Sequence, residues 1–110
     1  MAVAFTQGTL LGPDDLSVSL VDELGAFIDP YSISYSLYGE ASNNGVLRDY
    51  LIGSQYNDPV RSSEGVYYVG ERIGSGFLVG SYYVQWMIKR QETSPLEIIG
   101  KTYFAVYREG

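Results

Sequence analysis

Histidine and cysteine are both absent from the 110 residues of this chain. Without histidine there is no usual general base near neutral pH. Without either residue the nucleophilic thiol and the main zinc and haem ligands are missing. Most familiar catalytic constellations are thereby excluded, and neither enzymatic activity nor a cofactor is expected. The lack of thiols leaves the redox compartment open, since such a chain suits cytoplasm, periplasm or the outside of a particle. Basic residues are scarce and scattered: seven Lys and Arg stand against thirteen Asp and Glu, for a net charge of −6. Phosphate binding is driven by counterion release onto clustered Lys and Arg, so a direct nucleic-acid partner is not expected. Long apolar runs are lacking too. The opening Met-Ala-Val-Ala-Phe-Thr-Gln-Gly has no basic n-region and no apolar stretch, which argues against a secretory signal or a membrane span. The chain is expected to be made and kept soluble, with no membrane partner.

What is present in excess is tyrosine, with eleven residues against four phenylalanines and one tryptophan. Rings with a polar tip suit strands and interfaces. The length fits one domain with a core large enough to stand without metal or disulfide staples. Turn signals recur at short intervals: Gly12-Pro13-Asp14-Asp15, Asp29-Pro30, Ser42-Asn43-Asn44-Gly45, Asn57-Asp58-Pro59, Gly74-Ser75-Gly76 and Thr93-Ser94-Pro95. Runs rich in Val, Ile, Tyr and Phe lie between them, and no stretch sustains a 3.6-residue period for three turns. That pattern predicts an all-β, antiparallel sandwich.

The strands state their own faces. In residues 32–38, Ile33, Tyr35 and Leu37 alternate with Ser32, Ser34 and Ser36, which predicts a buried apolar side and a wet serine side. Leu16, Val18 and Leu20 alternate likewise with Ser17 and Ser19. Further strands are predicted at 46–52, 65–72, 81–90 and 98–107, with an edge strand or arm within 2–10. In 81–90, Tyr82, Val84, Trp86 and Ile88 form the core side. Tyr83, Gln85, Met87 and Lys89 share the other. If the last two strands pair across residues 91–97, Tyr83 and Met87 join Tyr103, Ala105 and Tyr107 on one outer face. Tyrosine is also a good strand former whose hydroxyl tolerates water, but so many rings on a face that should be polar read equally well as contact with another chain. Tyr83, Met87, Tyr103 and Tyr107 are therefore the candidate partner-binding residues, and Tyr83 and Met87 are expected to be covered by something other than this polypeptide.

Motifs with a chemical reading are weak. Gly74-Ser75-Gly76 is followed by no Walker lysine and no helix, so a flexible connection fits better than a phosphate cradle. Asp14-Asp15 and Asp22-Glu23 offer oxygen ligands without the spacing of a calcium loop, and read as turn acids with no metal. Glycoside hydrolysis needs two carboxylates facing across a cleft. Glu64 abuts a turn glycine, and Glu71 next to Arg72 suggests a surface salt bridge. Trp86, flanked by Val84 and Ile88, reads as core. No Asn-x-Ser/Thr acceptor occurs.

From Asp29 to Val106 the signals form one order: "DPYSISYSLY", a turn and middle strand, "DPVRSSEGVYYVG", "GSYYVQWMI" and "KTYFAV". This resembles the small immunoglobulin-like sandwich modules among virion proteins of tailed bacteriophages, with their "G-x-Tyr-Tyr" strand, "G-x-Tyr-x-Val-x-Trp" strand and closing "Phe-x-Val". The chain departs from them in having a glycine-rich, hydrophobic stretch at 73–80 where a proline is common, and it lacks the inter-sheet cysteines of antibody domains. The resemblance implies an immunoglobulin-like β-sandwich of about seven strands over residues 15–110, preceded by an N-terminal arm or edge strand at 1–14. It further implies a non-enzymatic virion protein, a capsid decoration or head-to-tail neck component, made in the host cytoplasm. Its partners would be other virion proteins in a symmetric, multi-copy assembly. The alternative from another class is a module binding glycans or the host surface, since exposed tyrosines also stack on sugars.

Overall fold

The computed structural model of the chain describes residues 3–43, 46–74 and 77–108. Residues 44–45 of the predicted Asn-Gly turn and 75–76 of the glycine-rich connection lie outside them. Eight strands and no helix occur among the described residues: β1 (Val3–Thr6), β2 (Ser17–Ser19), β3 (Ser32–Asn43), β4 (Val46–Asn57), β5 (Val60–Ser63), β6 (Val66–Tyr68), β7 (Gly80–Lys89) and β8 (Glu97–Tyr107). They form two sheets, one in the order β1-β8-β7-β3-β4 and a smaller one in the order β2-β6-β5. All pairs are antiparallel except β1, which runs parallel to β8 at the edge.

The alternation in β3 and β7 builds the core. Tyr35 pairs with Trp86 and Leu37 with Val84, while across β7 Tyr82 meets Phe104 and Val84 meets Thr102. Their inward side chains are almost fully buried, with Val84 at 0% and Trp86 at 1% exposure. The rings pack in tilted and stacked pairs, Tyr35 against Trp86 at 5.8 Å and Tyr82 against Phe104 at 5.5 Å. Trp86 Nε1 donates to Thr102 Oγ1 at 3.1 Å, so the one polar atom of the indole is satisfied inside the core. Leu16, Val69 and Ile73 close the core from the other side. The segment before β2 belongs to that core, because Phe5 packs edge-on against Phe104 at 5.9 Å and Leu11 is buried.

Among the described residues, seven of the strands fall within residues 15–110 and β1 precedes them, consistent with the expected number, but Val60–Ser63 is not among the predicted strands: it is exposed along its length, so it carries no alternation to reveal it. Two expectations are corrected. Ser36 is not wet but 1% exposed, and its hydroxyl donates to the Gln55 carbonyl. A register shift in the β3–β4 pairing between Tyr35 and Leu37 leaves Ser36 without a ladder partner there and accompanies that contact. Finally, Glu71 and Arg72 form no ion pair. Successive side chains on extended backbone diverge, and Arg72 Nη1 donates instead to the Gly8 carbonyl at 2.9 Å.

The small sheet is tied to the loop before β3 by one carboxylate. Asp29 accepts from Arg61 Nη2 at 2.9 Å, Arg61 Nε at 3.2 Å, the Gly65 N–H at 2.9 Å and the Tyr67 hydroxyl at 2.7 Å. Gly65 sits at φ +73, where a Cβ would lie 2.7 Å from the Leu20 carbonyl oxygen and 2.9 Å from Ile28 backbone atoms. Those atoms are fixed by the Leu20 N–H to Gly65 carbonyl bond and the Ile28 N–H to Leu20 carbonyl bond. Gly65→Ala therefore combines backbone strain with a rigid clash, and its expected cost is about 2–4 kcal/mol, read as a lower urea midpoint at unchanged slope. A midpoint within error of the parent would refute this packing.

The Arg61 guanidinium, then the Gly65 N–H and the Tyr67 hydroxyl, hold the Asp29 carboxyl well below the usual carboxylate range. A group depressed on folding contributes stability that is complete above its unfolded value, about 4, and is lost as pH falls toward the folded one. The stability difference between the parent and Asp29→Asn is expected to be constant from pH 7 to about 5 and to shrink below pH about 4. A difference that stays level into acid, followed by denaturant titration, would contradict it.

Candidate functional site

The outer face of the five-stranded sheet carries a row of rings across three strands. Register places Tyr38 of β3 beside Tyr83 of β7, and Tyr83 beside Tyr103 of β8, with Leu51 of β4 next to Tyr38. Tyr38 and Tyr83 stack with centroids 5.1 Å apart at 20°, and Tyr83 meets Tyr103 at 5.5 Å and 50°. Lys101 Nζ lies 4.7 Å from the Tyr83 ring centroid, a cation–π contact from above. The Tyr83 hydroxyl donates to Asp49 Oδ2 at 2.8 Å. Burial, and after it the Asp49 carboxylate, pushes the Tyr83 phenol far up from its ordinary value.

This geometry divides the four candidate residues. Tyr83 and Met87 are 5% and 4% exposed in the single chain, so they are covered by this polypeptide and not by another. For Tyr83 the expectation fails for a physical reason: β7 has a neighbour on each side, and Tyr38, Tyr103 and the Lys101 stem on those neighbours reach across its ring. Tyr103 and Tyr107 are each 48% exposed. Both lie on β8, whose other neighbour among the described residues, β1, pairs with it from Phe104 to Tyr107. Among the described residues Tyr103 thus has none of that strand beside it, and Tyr107 stands next to the small Thr6. Ile98 and Leu51 add exposed apolar surface to the same face.

Parity in residues 32–38 puts Tyr38 with the outward serines, so its face was legible although its stacking partner was not. Asp49 and Lys101 were not, because only the cross-strand register brings them to Tyr83. The acidic pairs serve turns: Asp15 Oδ2 accepts the Gly12 N–H at 2.7 Å, and Asp22 Oδ1 accepts from Leu24 and Ala26 at 2.8 and 3.0 Å. Among the described residues no group of three or more His, Cys, Asp or Glu could hold a metal ion, and no helix is long and apolar enough to cross a membrane. Compared with protein-family models, curated proteins and solved structures, the chain matches none.

Since Tyr83 is a packing residue, Tyr83→Ala is expected to cost about 3–5 kcal/mol. Tyr83→Phe, which loses one hydrogen bond to a solvated carboxylate, should cost about 1 kcal/mol. Equilibrium unfolding of both variants measures this, and an unchanged Tyr83→Ala would show that the ring row does not support the sheet.

Proposed function

We propose that the chain is an immunoglobulin-like sandwich and a non-enzymatic structural protein of a tailed-phage virion, docking on neighbouring particle proteins through the outer side of β8. The strand order supports the fold reading. Taking β2, β3, β4, β5, β6, β7 and β8 as B, C, C′, D, E, F and G gives the B-E-D sheet and the G-F-C-C′ sheet of a variable-type domain, with β1 added beside G. At the start of β7 the Tyr82 hydroxyl donates to the Leu78 carbonyl four residues upstream, the arrangement of a tyrosine corner. Burial, foremost, pushes that phenol up to about 12. Val84, two residues later and fully buried, stands where antibody domains place a cysteine.

The observation that carries the functional reading is the surface of β8. Ile98, Tyr103 and Tyr107 lie at 61%, 48% and 48% exposure on a chain that has no histidine and no cysteine for chemistry. Exposed aromatics on a rigid sheet are the residues that anchor protein contacts. The likeness of the strand endings to virion sandwich modules supports the choice of particle proteins as partners, in a capsid decoration or a neck. The glycan alternative draws on one feature, the Asp49 carboxylate, Gln85 amide and Lys101 ammonium around the ring row, since sugar sites combine rings with such groups.

Tyr103→Ala with Tyr107→Ala tests the reading, because both rings are half-exposed and the doubly substituted chain should stay folded, losing about 1–3 kcal/mol. Expressed in cells making particles that lack the parent chain, it is expected to be missing from purified particles that incorporate the parent, as read by mass spectrometry. Equal incorporation of the two overturns the proposal, and saturable glycan-array binding by the isolated domain would favour the alternative.

A further inference from the structure

A cleft of about 280 Å³ opens on the core side of the sheet, lined by Leu37, Ile52, Gly53, Asn57, Glu71, Arg72 and Phe77. It lies between β3–β4 and the connection from β6 to β7, on the opposite side of the sheet from Tyr103. Its walls are apolar: Leu37 belongs to the core cluster, and Ile52 and Phe77 pack against it. An apolar cavity of ~150 Å³ already admits benzene, so there is room here for a short hydrocarbon stem.

Two acceptors at this cleft are left over, beside the Arg72 guanidinium, which gives one of its N–H groups to Gly8. Glu71 Oε2 is buried and has no hydrogen-bond partner among the described residues. Asn57 spends its amide hydrogens on the Tyr35 carbonyl at 3.0 Å and the Ser54 carbonyl at 2.9 Å, which leaves Oδ1 free to accept. Arg72 turns to Gly8 and does not pair with Glu71. The Tyr35 phenol is raised by burial, then by the charge of Glu71 and a side-chain hydrogen bond to it, and last by the charge of Asp58, so the Glu71 carboxylate faces the Tyr35 hydroxyl while its Oε2 stays without a partner. A buried carboxylate oxygen without a donor is costly to desolvate, and a cation brought to it recovers a charge-assisted hydrogen bond.

From this geometry we infer that the cleft binds a primary ammonium group on a short apolar stem, with the ammonium on Glu71 and the stem between Leu37, Ile52 and Phe77. A free alkylamine and a lysine side chain from another protein share that chemistry. The net charge of −6 draws either to the chain. The inference stands apart from docking through β8, and its failure leaves that reading untouched.

The test is a titration of the ¹⁵N-labelled protein, following the amide signals of Gly53, Glu71 and Phe77. The probes are n-butylammonium, the neutral isostere n-butanol, butyrate, and an end-blocked Ala-Lys-Ala peptide. Butylammonium is expected to shift these signals with a dissociation constant of roughly millimolar order, and Glu71→Gln to weaken it about tenfold. That variant is isosteric and removes a poorly solvated charge, so it should melt no lower than the parent. Matching shifts with the peptide would show that a partner's lysine can enter. Shifts with butylammonium and none with the peptide would restrict the site to free amines. Equal binding of butanol, undiminished binding by Glu71→Gln, or no shift at all overturns the inference. The butanol comparison on the parent protein keeps the test decisive should Glu71→Gln unfold.

Discussion

A strand with a paired neighbour on each edge can be dry on both faces, and β7 is built on that constraint. On its inner side Tyr82, Val84, Trp86 and Ile88 are buried, and on its outer side Tyr83 and Met87 are buried too, Tyr83 under Tyr38, Tyr103 and Lys101 of the same sheet. Ten of the chain's residues thereby fix the register of β3, through Tyr35 and Trp86, and of β8, through Tyr82 and Phe104. Sliding either neighbour by one residue would put serines or Lys101 into the core and strip the cover from Tyr83. Both faces thus specify the same alignment, and that agreement between independent contacts is what selects one structure over its slipped alternatives.

The small sheet cannot rely on such redundancy. Its strands have three, three and four residues. Too few side chains point inward to hold it by burial alone, and short pairs are marginal in water. Its attachment is correspondingly polar. Asp29 gathers a guanidinium, a backbone amide and a hydroxyl from β5, β6 and the turn between them, while Gly65 lets the backbone of residues 20–28 approach within contact distance. Packing fixes one half of the molecule, and geometry around a single exposed carboxylate fixes the other.

That division also explains which features could be read from the chain. Period-two alternation reports parity within a strand, so the inner faces of β3 and β7 and the β7–β8 hairpin were legible. Coverage was not, because whether an outward ring is wet depends on what the adjacent strands carry at the same height. Tyr83 stacks on Tyr38, 45 positions away, and nothing local announces it. The Asp29-Pro30 pair reads as a turn signal, yet the partners of Asp29 lie 32 to 38 residues further on. Strand β5, exposed throughout, has no pattern to show. Glu71 and Arg72 mislead for the opposite reason, since adjacency in sequence looks like adjacency in space only when the backbone is not extended.

The same architecture bears on where a partner can bind with least loss. Freezing a mobile side chain at an interface costs about 0.5–1.5 kcal/mol. Tyr103 is half-exposed, yet its ring already rests on Tyr83, which is held by Tyr38, Lys101 and Asp49. That contact already favours one placement of the ring. Tyr107 has equal exposure and no ring neighbour among the described residues, so docking must order it afresh. Of two tyrosines alike in area, the one braced by the buried row is the better anchor. On the proposed docking through β8, the burial that removes Tyr83 from the surface is also what prepares Tyr103 for that role.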